Sequence, residues 1–439
     1  MATTRLTKTF SSSGNRNKWT ISLWVKRGKL GSTQTLFACH QNSNYKTRLE
    51  IAADDELYFN DEYNGNTNGR IVSNAKLRDT NAWYHIVGIW DKDNSTSDDK
   101  IRFYINGSRI TSFSDTGNAP SNASTLNVDG QVHEFGSENS GNLFDGAMSH
   151  IHFCDGYAYE PTEFGETDAT TGEWKIKTSP SVSYGTNGFF ILKNGNGVTD
   201  QSPNSNDWTV AAGTLTKTED CPSNVFCTMN PLDNQNQAST FTMGNNKIEW
   251  NTNNKTNFAT MAVNKGKFYW EMKYANNAGG TDAMTGVCRE VSRDGSDWVG
   301  HDSHGWSYYA SNGNKYTGGS GSSYGNSWTT NNIIGVAFDA DTRTLWFSKD
   351  GVWQNSATIS EIAAGTTTNS AFTNFGTAGE FFFPATSGYD GNKIEFNFGN
   401  GYFSTTAITS AGSNASNIGL FEYDVPNNFT ALSTKGLNE

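Results

Sequence analysis

The sequence predicts an all-β protein built from two tandem antiparallel β-sandwich (jelly-roll) domains. Three observations predict it. Apolar residues alternate with polar ones at period two through most of the chain, the mark of half-buried strands. Apolar content is only 35 %, yet there are 13 Trp, 17 Tyr and 27 Phe, which suits short strands carrying aromatics between turns rich in Gly and Asn. At 439 residues the chain is too long for one sandwich and fits two.

The elements follow in order. In Trp19-Thr-Ile21-Ser-Leu23-Trp-Val25 the odd positions are apolar, as in an antiparallel strand with one buried face. Trp83–Trp90 is apolar on both faces and reads as a central strand. Ile101, Phe103 and Ile105 alternate with Arg102 and Tyr104. Asn106-Gly107 then supplies a two-residue hairpin turn. In the second half Phe268, Trp270, Met272 and Tyr274 alternate with Tyr269, Glu271 and Lys273. Leu345 and Phe347 precede a turn at Lys349-Asp350-Gly351, and Ile394, Phe396 and Phe398 form a late strand. Short helices are expected near Pro161–Glu166 and Thr358–Ala364. The expected organisation is a first sandwich over 1–160, a connector over 161–235, a second sandwich over 236–405 and a tail over 406–439.

Charge and termini narrow the function classes. The net charge is −12 with no basic stripe, which argues against nucleic acid as a partner. The opening residues hold no apolar core of a secretion signal, and no apolar run reaches the length of a membrane span. The odd cysteine count (Cys39, Cys154, Cys221, Cys227, Cys288) has no disulfide-framework spacing and reads as reduced thiols.

The catalytic and metal patterns in the sequence are incomplete. A retaining glycosidase of this architecture needs carboxylates at alternate positions of one strand. Glu166-Thr-Asp168 is followed by a carboxylate only at Glu173, and Asp339-Ala-Asp341 falls in a tight turn. The expectation is no enzyme. His150, His152 and Cys154 have the i, i+2, i+4 spacing of a zinc site, but the reading adopted is a strand with Ile151 and Phe153 inward and two histidines on a wet face. No nucleophile elbow or phosphate loop is present.

Two regions point to binding. Between Ser296 and Trp328 aromatics concentrate among Gly, Ser and Asn, a composition that suits sugar rings. Trp306 and Tyr308 are expected in the core, and Trp298, Tyr316 and Tyr324 are the expected exposed ligand-binding residues. Asp220, Pro222, Asn224 and Phe226 are echoed by Asp424, Pro426, Asn428 and Phe429. These read either as a chance match of two proline turns or as docking straps tying each module to its neighbour or a partner.

The first block resembles a laminin-G/concanavalin A-like domain through Trp19–Lys26, Trp83–Val87, Ile101–Gly107 and Gly146–Phe153. That resemblance raises calcium as a cofactor, with Asp54, Asp55, Asp61 and Asp129 available for oxygen ligation. Otherwise no cofactor is expected. The second block resembles a SPRY domain through Lys267-Phe-Tyr-Trp270-Glu271, Ile334–Asp339, Leu345–Gly351, Phe383–Ala385 and Glu395–Gly399. Their combination is similar to virion proteins of marine tailed bacteriophages. The shared pieces are Lys8-Thr-Phe10…Gly14-Asn15-Arg16…Trp19, Asp155-Gly156…Phe164–Thr167, and Phe421–Pro426…Leu437. That similarity implies a non-enzymatic fibre-type or decoration-type particle protein, assembled in the host cytoplasm and located in the virion. Its partners would be other virion proteins and a host-surface glycan, and it would be a homo-oligomer such as a trimer. The alternatives are a non-viral adhesion module for glycan or protein, and a carbohydrate-active enzyme.

Overall fold

The computed structural model describes residues 4–117, 119–193, 195, 197–234, 239–289 and 297–438. The chain divides into two compact units, Met1–Lys217 and Thr218–Glu439. Both are nearly all β, with stacked antiparallel sheets as expected.

In the first unit, one sheet runs Phe113–Thr116, Asn66–Lys76, Glu56–Tyr63, Tyr45–Ile51, Gln34–Asn42, Val132–Phe135, Arg5–Thr9, Thr209–Ala212. The other runs Phe189–Ile191, Gly146–Asp155, Lys18–Arg27, Trp83–Asp91, Ile101–Ile105, Ser108–Arg109. Ile21, Leu23, Ile86, Trp90 and Phe103 meet Leu49, Phe59 and Phe135 between the sheets. Trp83–Asp91 is greasy on both faces because both are covered. Val87 and Ile89 face away from this core and pack with Tyr104, Cys154 and Phe164.

The cover comes from the span expected to be a connector. Residues 161–235 do not stand apart; they are divided between the units. Phe164, Tyr159 and Tyr184 close the outer face of the smaller sheet, and Phe189–Ile191 and Thr209–Ala212 extend the two sheets. Short edge strands and a covering loop carry little periodicity, so local pattern does not reveal them. The upper end of that span falls on residue 235, outside the described residues.

The hairpin after Ile101–Ile105 forms as expected. Asn106 and Gly107 both have positive φ (49° and 78°), as a twisted two-residue turn requires. A Cβ at Gly107 would lie 2.7 Å from the Trp174 ring. Gly107→Ala should therefore cost about 1–3 kcal/mol from left-handed strain and lost packing, read by urea unfolding.

In the second unit, one sheet runs Ser239–Thr242, Lys247–Trp250, Asn392–Asn397, Lys267–Asn277, Ile333–Asp339, Thr344–Lys349, Val352–Trp353. The facing sheet runs Lys255–Phe258, Phe382–Gly388, Met284–Arg289, Gly305–Tyr309, Asn314–Thr317, Ser320–Ser323. Trp270, Met272, Val336, Phe347 and Phe396 fill the space between with Val287, Trp306 and Tyr308. The helix Ile359–Ala363 is capped by Thr358 and Glu361 in a reciprocal capping box. Near Pro161 the expected helix is a single 3-10 turn, Pro161–Glu163.

The two Asp-x-Pro-x-Asn segments meet each other. The Cys227 N–H donates to the Leu432 carbonyl (2.9 Å), and the Thr434 N–H to the Val225 carbonyl (2.9 Å). Asn224 accepts from the Lys435 N–H at 3.1 Å. Phe226 and Phe429 are buried with Tyr269 and Trp346 on the outer face of the larger sheet. Asp220, Pro222 and Pro426 are also buried, while Asp424 and Asn428 are exposed. These contacts lie within the second unit. That face of the sheet is apolar and needs a cover.

Candidate functional site

The aromatic cluster separates into core and surface. Trp306, Tyr308 and Trp328 are core, at 5 %, 0 % and 1 % exposure. Tyr324, expected at the surface, is 7 % exposed and packs edge-on to Tyr308 and Phe347. Its hydroxyl accepts the Phe347 N–H at 3.1 Å. The chain turns inward after the edge strand Ser320–Ser323, and the ring follows it.

Trp298 and Tyr316 do come together, half-exposed, with ring centroids 5.5 Å apart and planes at 89°. His301 stands edge-on to Trp298 at 5.4 Å, and Tyr309 is perpendicular to Tyr316 at 5.5 Å. Asn312 donates to the Tyr316 hydroxyl at 3.3 Å. Tyr309 donates to Asp282, and burial, then that carboxylate, pushes its phenol up to about 12. Ser296, the expected start of the cluster, lies outside the described residues.

The loop bearing Trp298 is pinned on both sides. Thr256 donates its hydroxyl to the Asp297 carbonyl. The Val299 N–H donates to Ser387 (3.2 Å), and Ser307 donates to the Val299 carbonyl (2.6 Å). The Gly318 and Gly319 N–H groups donate to the Asp302 and Gly300 carbonyls at 2.7 and 2.9 Å. The result is a hydrogen-bonded shelf of perpendicular rings edged by amide, imidazole and carboxylate groups. Such a shelf can stack on the C–H face of a sugar ring while its edge bonds the hydroxyls. His301 was missed from the sequence, because an isolated histidine in a polar loop carries no pattern.

The metal candidates are placed otherwise. A bulge between Ser149 and His152, with His150 at φ 48°, breaks the alternation that would align His150 with His152 and Cys154. His152 does not face solvent, and His150 is half-buried. His152 stacks on Phe190 at 3.8 Å and meets Tyr184 at 2.9 Å, and burial holds its imidazole well below the ordinary range. Asp55 pairs with Arg27 and Arg78, Asp61 accepts from Thr125 and Asn68, and Asp129 bonds Ser13. Asp54 accepts the Glu56 N–H. Among the described residues no group of three or more His, Cys, Asp or Glu is placed to hold a metal. Asp168 is ion-paired with Lys175 at 2.9 Å, and buried Asp339 with Lys267 at 3.5 Å.

Among the described residues each unit also holds a cleft. One of about 500 Å³ in the first unit has an apolar floor that includes Ile71, Ile101 and Phe113. Its rim guanidiniums are already paired, Arg70 with Asp115 and Arg109 with Asp99. The other, of about 900 Å³, lies in the second unit beside Lys265 and Lys267.

Residues 4–163 match the family model of the concanavalin A-like lectin/glucanases superfamily, and residues 267–401 match the SPRY domain model. No curated protein matches the chain. Among solved structures it is similar to the SPRY domain of human HERC1, at 22 % identity over 38 % of this chain and 96 % of that one, with a TM-score of 0.30. A human SPRY domain matches at 15 % identity, 36 % and 94 % coverage and a TM-score of 0.28. The heptameric SAP-like pentraxin from Limulus polyphemus matches at 17 %, 35 % and 70 %, with a TM-score of 0.26. Among the described residues no helix is long and apolar enough to cross a membrane. The first unit thus carries a match to a concanavalin A-like domain and the second a match to a SPRY domain.

Proposed function

We propose that this is a non-enzymatic bacteriophage virion protein, assembled in the host cytoplasm, whose SPRY domain holds a neutral host-surface glycan on the Trp298–Tyr316 shelf. The observation that carries the binding reading is the pinned, half-exposed pair of perpendicular rings. The virion reading is supported by the likeness of the opening, Asp155-Gly156 and closing motifs to tailed-phage proteins. It is supported too by an odd set of five cysteines with no disulfide-framework spacing in extracellular-style domains, as in a particle assembled in a reducing cytosol. Its partners are other virion proteins in a homo-oligomer, a trimer in the fibre case. No cofactor enters this reading.

Trp298→Ala should weaken binding to a panel of neutral oligosaccharides at least tenfold, about 1.4 kcal/mol, and lower the Tm by no more than about 2 °C. A collapse of stability would assign Trp298 to the core and end the shelf reading. Proteomics of purified particles tests the location, and native mass spectrometry tests the oligomer. A free monomer absent from particles would end the virion reading.

A further inference from the structure

The facing sheet of the second unit ends at the strand Ser320–Ser323. It pairs with Asn314–Thr317 without a bulge: Thr317 with Ser320, Tyr316 with Gly321, Lys315 with Ser322, Asn314 with Ser323. Gly318 and Gly319 form the two-residue turn, with φ 58° and 71°. In such a hairpin the pair next to the turn exchanges both hydrogen bonds, and bonded and unbonded pairs then alternate. Gly321 and Ser323 therefore aim their N–H and C=O groups away from the sheet. All four residues of the strand are exposed, and among the described residues no backbone group meets this edge from the open side.

Sheet edges are ordinarily blunted by charge, proline or a bulge, because an open edge is a template for another strand. Phe113–Thr116, an edge of the first unit, has a bulge and Asp115. Ser320–Ser323 has none of these devices. A second feature points outward at the same place. A Cβ on Gly321 would lie 2.5 Å from the Tyr316 ring and 2.9 Å from its hydroxyl. The phenol thus reaches across the bare glycine toward the open edge. In an added strand, the residue opposite Gly321 would project on this same face and meet the ring.

Charge selects the side chain. The loop that holds the hairpin turn carries Asp297 and Asp302, whose nearest charged or ionisable partners are His301 at 3.3 Å and His304 at 2.9 Å. Between residues 297 and 332 Lys315 is the one lysine or arginine. It follows Tyr316 in the alternation onto the opposite face, where its ammonium donates to the Ala371 carbonyl. A basic side chain is drawn by these carboxylates and is held over a phenol ring. An acidic one is repelled, in a chain of net charge −12. The geometry points to an extended basic segment of a partner protein as the occupant of this edge. Its backbone pairs with Gly321 and Ser323, and a lysine or arginine lies against Tyr316. The inference does not rest on the glycan reading, although Tyr316 contributes to both.

The test is calorimetric titration of the full chain with an end-blocked peptide of alternating threonine and arginine, with hydrogen exchange read at Gly321 and Ser323. The peptide should bind and should slow exchange of both amides. Glutamate in place of arginine should weaken binding roughly tenfold or more. So should methylation of the arginine backbone amides, which keeps the charge and removes the strand's hydrogen bonds. Ser323→Pro removes one outward N–H at an edge position that tolerates proline, so it should fold normally and bind the peptide roughly tenfold more weakly. The same variant should leave neutral-oligosaccharide binding unchanged, which separates the fate of this edge from that of the shelf. The proposal is overturned if the peptide does not bind, if the glutamate or methylated peptide binds as tightly, if Ser323→Pro binds equally well, or if both amides exchange as fast in the complex as in the free chain.

Discussion

Asp155→Ala is expected to destabilise the first unit by at least ~3 kcal/mol, a fall in Tm of about 6–12 °C for a unit of this size. Asp155 is 4 % exposed, and its carboxylate accepts the Asn15 N–H (2.7 Å), the Asn127 side-chain amide (2.8 Å) and the Asn187 N–H (3.0 Å). Asn187 in turn donates to Asn127 (2.8 Å) and to the Ser12 carbonyl (2.8 Å). One carboxylate thus joins the N-terminal segment, the approach to Val132–Phe135 and the chain before Phe189–Ile191. Alanine would strand two buried donors, on Asn127 and Asn187, and the part-buried Asn15 N–H, and each unmet buried donor costs about 1–3 kcal/mol. Gly14 is part of the same lock, since a Cβ there would overlap both Asn127 and Asp155. Asp155→Asn keeps one acceptor oxygen and should lose about half as much. Calorimetry with amide exchange on the full chain checks this, with lost protection expected in the first unit. A loss under about 1 kcal/mol would mean the network is solvated and unimportant.

Glu271→Ala should destabilise the second unit by a similar ~3 kcal/mol or more, and Glu271→Gln should remove a pH dependence that the wild type carries. Glu271 is fully buried on the central strand. Its carboxylate accepts the Glu422 and Tyr423 N–H groups (both 2.9 Å), the Asn397 amide (3.1 Å) and the Tyr269 hydroxyl (3.2 Å). It is the polar bolt that holds the tail, while Phe421 packs edge-on to Tyr269 at 5.0 Å. Burial raises its carboxyl from 4.5 to about 7, against the pull of those donors. A raised folded value means that the folded state binds the proton more tightly than the unfolded one. The resulting stability is complete below about pH 4.5 and lost as pH rises through about 7. Relative to Glu271→Gln, wild type should gain up to about 3 kcal/mol between pH 8 and pH 4.5 in urea unfolding, the other groups cancelling in the difference. Parallel pH profiles of the two proteins would refute this role.

Much of the fold was legible because its signals are local. Period-two alternation in Trp19–Val25 and Phe268–Tyr274 needs only one strand and the face it buries. Asn106-Gly107 needs only its own positive φ values, and Thr358 with Glu361 only one turn of helix. Trp306 and Tyr308 were legible as core for the same reason, lying on a strand whose inner face is predictable. Tyr324 was not, since its direction depends on where the chain goes after the edge strand.

By itself the sequence determined the all-β class and the two sandwiches, because alternation and turn chemistry are written residue by residue. Only the tertiary structure decided that the supposed connector covers a sheet face and that the two proline straps pair with each other. It alone buried Glu271 beneath the tail and formed the lysine-lined cleft between residues 265 and 437. Those features join segments up to about two hundred residues apart, through contacts that depend on which faces remain uncovered once the sheets have stacked.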